Sequence, residues 1–543
     1  MHLFDWDEIN FAESAREMLV SGDYSGVQVN FRPFWEKPPL FIWMQALSMK
    51  VFGVNEFAAR FPNAVAGFLS LSFIFFYGKK HFGTRMGWLW VLAMLGSFTP
   101  QLYFKSGIID PFFNLFIFAG IVMLAEGANL DKRPRKKFNA LAGFFIGLAL
   151  LTKGPVALLV AMLCVALYFV YRGFRFFFDI WDILLFALTC AAVSFVWYGM
   201  EVMENGIWFL AEFLRYQKEL ASQSVASHGQ PWFYHPLVLL FGAFPASVIA
   251  LRSFAENLTW TQEQKNFRTW MAVLFWVVLI LFSIVKTKII HYSSLCYLPL
   301  TFLAALVMDA TIQQRIQYRR FNVYLVLIIG LMMSLAFIGI PLIGIVPEWK
   351  ASLIAQLKDP FAAANFGLES IWDFKSILPG SILLIGTITA FVLLFRRNLE
   401  KAYPVLFIIG LLALQGFMLW VVPGIEHHSQ GPAIEFIESH QDEDVYVEVL
   451  GYKSYAQLFY SQIAPLSDTV SYNAYVAAHP NDYQNMASRD IPALLYRDWL
   501  MYGDIDKPAY FLSKIQHKAE FSAIPTLEVI GEKGGFVFYR RKP

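Results

Sequence analysis

Residues 5–8, Asp5-Trp6-Asp7-Glu8, open a polar amphipathic segment that runs from Ile9 to Val20, ahead of any apolar stretch of spanning length. The remainder of the chain is overwhelmingly apolar. Of the 543 residues 57% are hydrophobic and only 15% are charged, against about 25% charged in a soluble domain. The balance predicts a polytopic membrane protein, and the acidic cluster then reads as an extramembrane carboxylate pair tied to a bilayer-embedded body. Chemistry at the membrane surface is the corresponding expectation. A net charge of +2 gives no reason to expect nucleic acid. Cys164, Cys190 and Cys296 each lie inside an apolar run, as small buried hydrophobes without a disulfide framework.

Spanning a hydrocarbon core takes roughly 20 apolar residues per helix. On that measure about twelve stretches qualify: 56–77, 86–104, 109–127, 138–152, 155–171, 182–199, 234–251, 269–285, 293–308, 321–342, 377–395 and 403–421. The fourth and fifth are short and read as a pair broken at Thr152-Lys153-Gly154-Pro155. Every second connector is basic. Lys79, Lys80 and Arg85 follow the first span, Lys132 to Lys137 the third, Arg172 and Arg175 the fifth, Arg315, Arg319 and Arg320 the ninth, Arg396, Arg397 and Lys401 the eleventh. Such connectors face the cytoplasm. Residues 1–55 and the tail from Pro423 then face outward, and an outward start predicts one further spanning helix upstream of Met1.

The expected fold is therefore an all-α polytopic membrane body over residues 1–422, with residues 1–55 as outward interfacial helices. A small soluble α/β extracytoplasmic domain occupies residues 423–543. Asp5 and Glu8 stand at capping-box positions for the first interfacial helix and Gly22 marks its stop. Pro38-Pro39 starts the second, which carries Leu40, Trp43, Leu47 and Val51 on one face. In the tail, Val445-Tyr446-Val447-Glu448-Val449 and Gly535-Phe536-Val537-Phe538-Tyr539 alternate as strands do. Neither a phosphate-binding glycine loop nor a nucleotide fingerprint is evident, so cytoplasmic ATP is not the expected energy source.

The candidate chemistry sits on the outward side. Asp7 and Glu8 can accept a proton from an acceptor, or orient it, while a sugar is displaced from phosphate; equally, acids at a helix start complement its dipole. Asp110, in Ser106-Gly107-Ile108-Ile109-Asp110-Pro111, is an ionisable group at the outer end of a span, where such groups face a cavity or a partner. Asp-Pro is also a good helix start. Lys37 in Glu36-Lys37-Pro38-Pro39 can neutralise a departing phosphate, or simply anchor at the headgroups. Lys286, Lys288, His291 and Tyr292 form a polar knot between two spans, and Lys153 and Arg60 bring further cations to the same face. Outward cations run against the positive-inside tendency, which anion binding explains. A lone histidine such as His228 is more often a surface residue than a ligand, and metal binding there needs a partner such as Glu36.

These residues resemble a known family. The run Asp5-x-Asp7-Glu8-x-x-Phe11-Ala12-Glu13-x-x-Arg16-Glu17-Met18, then Ser21-Gly22-Asp23, then Glu36-Lys37-Pro38-Pro39 is similar to the bacterial aminoarabinose transferases that modify lipid A. Those are grouped with the protein O-mannosyltransferases in the GT-C class of glycosyltransferases that use polyprenyl-phosphate sugars. Phe52-Gly53 with Glu56 and Ala59-Arg60, Leu151-Thr152-Lys153-Gly154-Pro155, and Lys286 to Tyr292 before Leu298-Pro299 extend the resemblance along the chain. It departs at Trp35, the aromatic before Glu36, and at His291. The resemblance implies a thirteen-helix enzyme of the bacterial inner membrane, with site and tail facing the periplasm. It implies an undecaprenyl-phosphate-linked sugar as donor, lipid A or another glycolipid as the favoured acceptor, and a protein acceptor as the alternative. It further implies Asp7 and Asp110 as the acids of the first two outward loops, and Lys37 with Tyr292 at the donor phosphate. Chemistry then needs no cofactor, while Glu36 and His228 look like a pair able to hold a structural zinc. A transporter or flippase is the rival from another class; the acidic first loop and the large outward tail favour the enzyme.

Overall fold

The computed structural model describes every residue except 35, 212, 216–228, 255–257, 260, 481, 484–490 and 543. Trp35 and His228 therefore lie outside the described residues. Among the rest, eight helices are long and apolar enough to cross a membrane, and a ninth span arises if Tyr234–Gly242 and Ala246–Phe254, bent by 110°, count as one. Each of the twelve predicted stretches is helical, but not each is a continuous span. The stretch 86–104 is interrupted at Gly96 and Ser97, giving Thr84–Leu95 and Phe98–Tyr103. Val156–Tyr171 is apolar but only 16 residues long. Lys132–Lys153 is a single 22-residue helix whose first turns carry the basic cluster, which dilutes its apolar character.

Packing sorts the helices into inner and outer. The windows of Ile290–Ile312 and Asp110–Gly127 are 94% and 83% buried, whereas that of Ile180–Asn205 is 17% buried. Large apolar side chains such as Leu188, Phe195, Phe321 and Ile385 stay exposed on the outer helices. Exposure on that scale has a stable outlet only in lipid. The inner helices carry Asp110, His291 and Tyr292.

Residues 1–55 hold two helices where two were expected, Asp7–Ser21 and Leu40–Phe52, joined by a short hairpin of Gln28–Val29 and Arg32–Pro33. Gly22 ends the first in the left-handed region at φ 73°. Leu47 and Val51 remain exposed on the second. The expected capping box is not made. Trp6 occupies the cap position at φ 79° without a side-chain cap, because Asp5 and Glu8 are both committed to tertiary partners.

Beyond Val422–His427 and Gly431–Glu438, the tail builds a four-stranded sheet. Tyr446–Leu450 runs parallel to Ala509–Lys514, which pairs antiparallel with Phe536–Arg541, and Glu528–Lys533 closes the edge. Successive side chains point to opposite faces, so the sheet has two cores. Tyr446, Phe511, Val537 and Tyr539 pack on the helix Ile491–Tyr502. Val447, Leu512, Phe536 and Phe538 share a cluster with Ile9, Ala12 and Ala15 of the first interfacial helix. The tail is thus seated directly on the segment that carries Asp7.

Candidate active site

Four separate segments bring charged groups to the turn at His291 and Tyr292, which opens the buried span Ile290–Ile312. Asp7 is the first residue of its helix, with its side chain 41% exposed and its Oδ2 3.4 Å from Nε2 of His291. Asp110 is the first residue of Asp110–Gly127 and Pro111 the second; the helix starts at the Asp-Pro pair, but Ile109 and not Asp110 takes the cap position, because the Asp110 carboxylate is held by Lys153. Lys153 ends Lys132–Lys153 and donates from Nζ to Oδ1 of Asp110 at 2.6 Å. A helix of that length rises by roughly 33 Å, so Lys153 stands at the far end from the basic cluster at Lys132. Gly154 comes next at φ 103°, turning the chain sharply where the ammonium must stop.

The Lys153 ammonium also lies 5.3 Å from the ring centre of Tyr292 and 5.6 Å from that of Phe113. Asp110, Lys153, Asp7 and Lys37 are the charges that act on the His291 ring. Asp7, Asp110 and Glu36 act on Tyr292. Lys37 and Glu36 sit half-buried in the turn between the hairpin and the second interfacial helix. The predicted Asp7, Asp110, Lys153 and Tyr292 therefore gather about one turn, and the charges of Lys37 and Glu36 reach it.

Four predicted residues, Glu8, Arg60, Lys286 and Lys288, are placed differently. Glu8 is buried, and both its oxygens are fully engaged. Oε1 accepts from Arg60 Nε at 2.8 Å and from the Gly107 amide at 2.5 Å; Oε2 accepts from Arg60 Nη2 at 3.0 Å and the Phe4 amide at 2.8 Å. Glu8 and Arg60 thus hold each other, and Glu8 ties the loop of Asp7 to the loop of Asp110. A Cβ at Gly107 would sit 3.1 Å from Cγ of Glu8, tight enough that Glu8 would have to shift. Lys288 is buried with its Nζ donating to the Val285 carbonyl at 2.8 Å, and its charge acts on His235. Lys286 is exposed.

Two features went beyond the sequence reading. His291, the imidazole facing Asp7, was singled out in the polar knot and as a departure from the resemblance, but without a role of its own. The tail also grips the Asp7 loop. Asp5 accepts from the Tyr455 amide at 3.0 Å and from the Ser454 hydroxyl, while its own amide donates to Gln430 Oε1 at 3.2 Å. Lys453 lies 5.4 Å and 5.5 Å from the ring centres of Trp6 and Tyr455. Trp6 is held at positive φ by these contacts, a strained position immediately before Asp7.

A family model described as dolichyl-phosphate-mannose-protein mannosyltransferase matches residues 36–200. The chain is 28% identical over 312 residues to an undecaprenyl phosphate-alpha-4-amino-4-deoxy-L-arabinose arabinosyl transferase of Shewanella sediminis, covering 56% of this chain and 55% of that one. An enzyme of the same description from Pseudomonas fluorescens is 26% identical over 322 residues, covering 57% and 54%. The chain thus spans about half the length of the curated relatives it matches. The crystal structure of ArnT from Cupriavidus metallidurans bound to undecaprenyl phosphate superposes with a TM-score of 0.74 at 16% identity, over 99% of this chain and 94% of that one. Its apo form gives the same TM-score. The chain thus has the fold of the ArnT structures, and over part of its length it is similar in sequence to the aminoarabinose transferases and to the protein mannosyltransferase model.

Proposed function

We propose that this protein transfers a sugar from a polyprenyl-phosphate donor to a lipid A-like glycolipid at the outer face of the bacterial inner membrane. The observation that carries the reading is the convergence on His291 and Tyr292 of an exposed carboxylate, Asp7, with the cations Lys37 and Lys153. A lipid-linked sugar enters from the bilayer beside the buried spans. The bond from the sugar's anomeric carbon to the lipid phosphate breaks, and the phosphate leaves with both bonding electrons. Lys37 and Lys153 stabilise that charge, and the Tyr292 hydroxyl is the neutral donor next to them. Asp110 holds Lys153 in place. Asp7 orients the acceptor and, where the acceptor is a hydroxyl, takes its proton. An acceptor phosphate needs no base, and Asp7 then stabilises positive charge developing on the sugar.

Glu8 and Arg60 act as positioning residues, since each is occupied by the other. The basic cluster at the start of Lys132–Lys153 lies at the opposite end of that helix from Lys153, which supports an outward, periplasmic site and tail. Glu36 is the described member of the pair proposed for zinc, and no step is routed through a metal. The curated relatives are named for aminoarabinose transfer from undecaprenyl phosphate, which favours that donor over a protein mannosyltransferase reading.

The test is transfer by the purified chain in lipid nanodiscs from a radiolabelled undecaprenyl-phosphate sugar, with lipid A and an unfolded secreted protein offered together. Label on lipid A supports the reading, and label on protein only would move the chain to the protein O-glycosyltransferases. Donor movement across the bilayer without bond cleavage would replace the enzyme by a carrier.

A further inference from the structure

A second constellation lies where the N-terminal loop, the first turn of Glu56–Phe82 and the tail meet. His2, Glu56 and Glu438 bring one imidazole nitrogen and two carboxylate oxygens to within 4.8 Å of one another. The His2 ring is fixed before any ligand arrives. Its Nδ1 lies 2.5 Å from Oε1 of Glu426, its ring packs edge-on against Tyr460 at 5.2 Å, and its backbone carbonyl accepts from Arg60 at 2.8 Å. With Nδ1 on a carboxylate, the lone pair of Nε2 is directed to the other side, where Oε1 of Glu438 lies 3.4 Å away.

A carboxylate on one imidazole nitrogen, leaving the other for a metal, is the usual support of a metal-binding histidine. Tetrahedral zinc, with bonds of about 2.0–2.2 Å, needs ligand atoms about 3.4 Å apart. His2 and Glu438 stand at that separation already, and a Glu56 oxygen lies within 4.8 Å of both. Charge argues the same way. Glu426, Glu438 and Glu56 all act on His2, while the Arg60 guanidinium is engaged by Glu8. The Met1 ammonium acts on Glu426 and Arg60 on Glu56, and the negative charge left by three carboxylates around one imidazole suits a divalent cation.

We infer that His2, Glu56 and Glu438 form a zinc site, with water as the fourth ligand, that clamps the tail onto the loop preceding Asp7. One imidazole with two carboxylates suits zinc or manganese better than calcium, which takes about six to eight oxygens. Glu438 is 39% exposed, so the ion enters from solvent and exchanges with it. The inference does not rest on glycosyl transfer.

The experiment uses the full chain in detergent, stripped with chelator and titrated with zinc chloride, then with calcium chloride. Thermal unfolding and bound zinc per chain are read for the wild type, Glu438→Gln and His2→Gln. Glu438 is partly in solvent, so its variant keeps the fold. The expected result is a rise of several degrees in Tm with zinc and none with calcium. Each variant should bind one zinc fewer than the wild type, or bind it at least tenfold more weakly. Equal zinc content and an equal thermal shift in all three proteins would overturn the site, as would calcium matching zinc.

Discussion

Arg60 grips Glu8 through both its Nε, at 2.8 Å, and its Nη2, at 3.0 Å, one residue along from the exposed carboxylate of Asp7. The same Glu8 accepts the Gly107 amide, three residues before Asp110. The spacing between the two acids of the site is thereby set by a third acid that faces away from it. Breaking a buried, hydrogen-bonded ion pair on one side costs about 3–5 kcal/mol. Glu8→Gln should lower the Tm in detergent by several degrees and reduce transfer, because an amide carries one acceptor oxygen where four donors converge. A Glu8→Gln protein as stable as the wild type would remove this linking role.

Asp110 and Lys153 form the second buried pair. Lys153→Ala leaves the Asp110 carboxylate buried beside an already unpartnered Oδ2, and should destabilise by about 3 kcal/mol or more. Asp110→Asn together with Lys153→Ala should cost less than Lys153→Ala alone, since neither charge is then stranded. A double-mutant cycle on Tm measures this, with a coupling of about 1–3 kcal/mol expected. Donor binding should be weakened in both proteins that lack Lys153.

The tail's hold on the catalytic loop predicts a kinetic effect. Asp5→Ala removes the bonds to Ser454 and the Tyr455 amide, releasing Trp6 from its left-handed conformation. A displacement of about 1 Å in a reacting group can cost up to a hundredfold in rate. kcat should fall about tenfold or more while KM for the donor stays within twofold, because Lys37 and Lys153 are untouched. A change confined to KM would place Asp5 in donor binding instead.

Stability should also depend on pH through the first interfacial helix. Burial and the neighbouring Glu13 carboxylate push the Glu17 carboxyl up to about 9, against the pull of the Phe31 amide and Arg16. The usual carboxyl value of about 4.3 applies to the unfolded chain. Between these values the folded chain holds a proton that the unfolded chain has lost, so stability falls as pH rises. The slope contributed is at most about 1.4 kcal/mol per pH unit. Tm measured from about pH 5 to 9 should decline more steeply in the wild type than in Glu17→Gln, which cannot ionise; parallel curves would contradict the assignment.

Local pattern carried some of these features and not others. Apolar runs foretold the helices because burial in lipid depends on composition alone. The alternation at 445–449 and 535–539 foretold strands because side-chain direction has a period of two. The turn of Gly22 and the Asp-Pro start at Asp110 were equally local. The contacts of Asp5 with Ser454 and Tyr455 span some 450 positions, and nothing near either end announces them. Asp7 and Glu8 look alike in sequence. They diverge because successive helix residues point about 100° apart, one to the open side beside His291 and the other into Arg60. The break at Gly96 and Ser97 was hidden by the apolar residues on either side of it.

The most direct measurement is sugar transfer by Asp7→Asn beside the wild type, with Tm and donor binding recorded on the same preparations. Asp7 is exposed and makes no buried bond on which the fold depends, so the variant should keep the wild-type Tm and bind donor normally. Transfer should fall by about a hundredfold or more. A variant that folds, binds and transfers within twofold of the wild type would contradict the account.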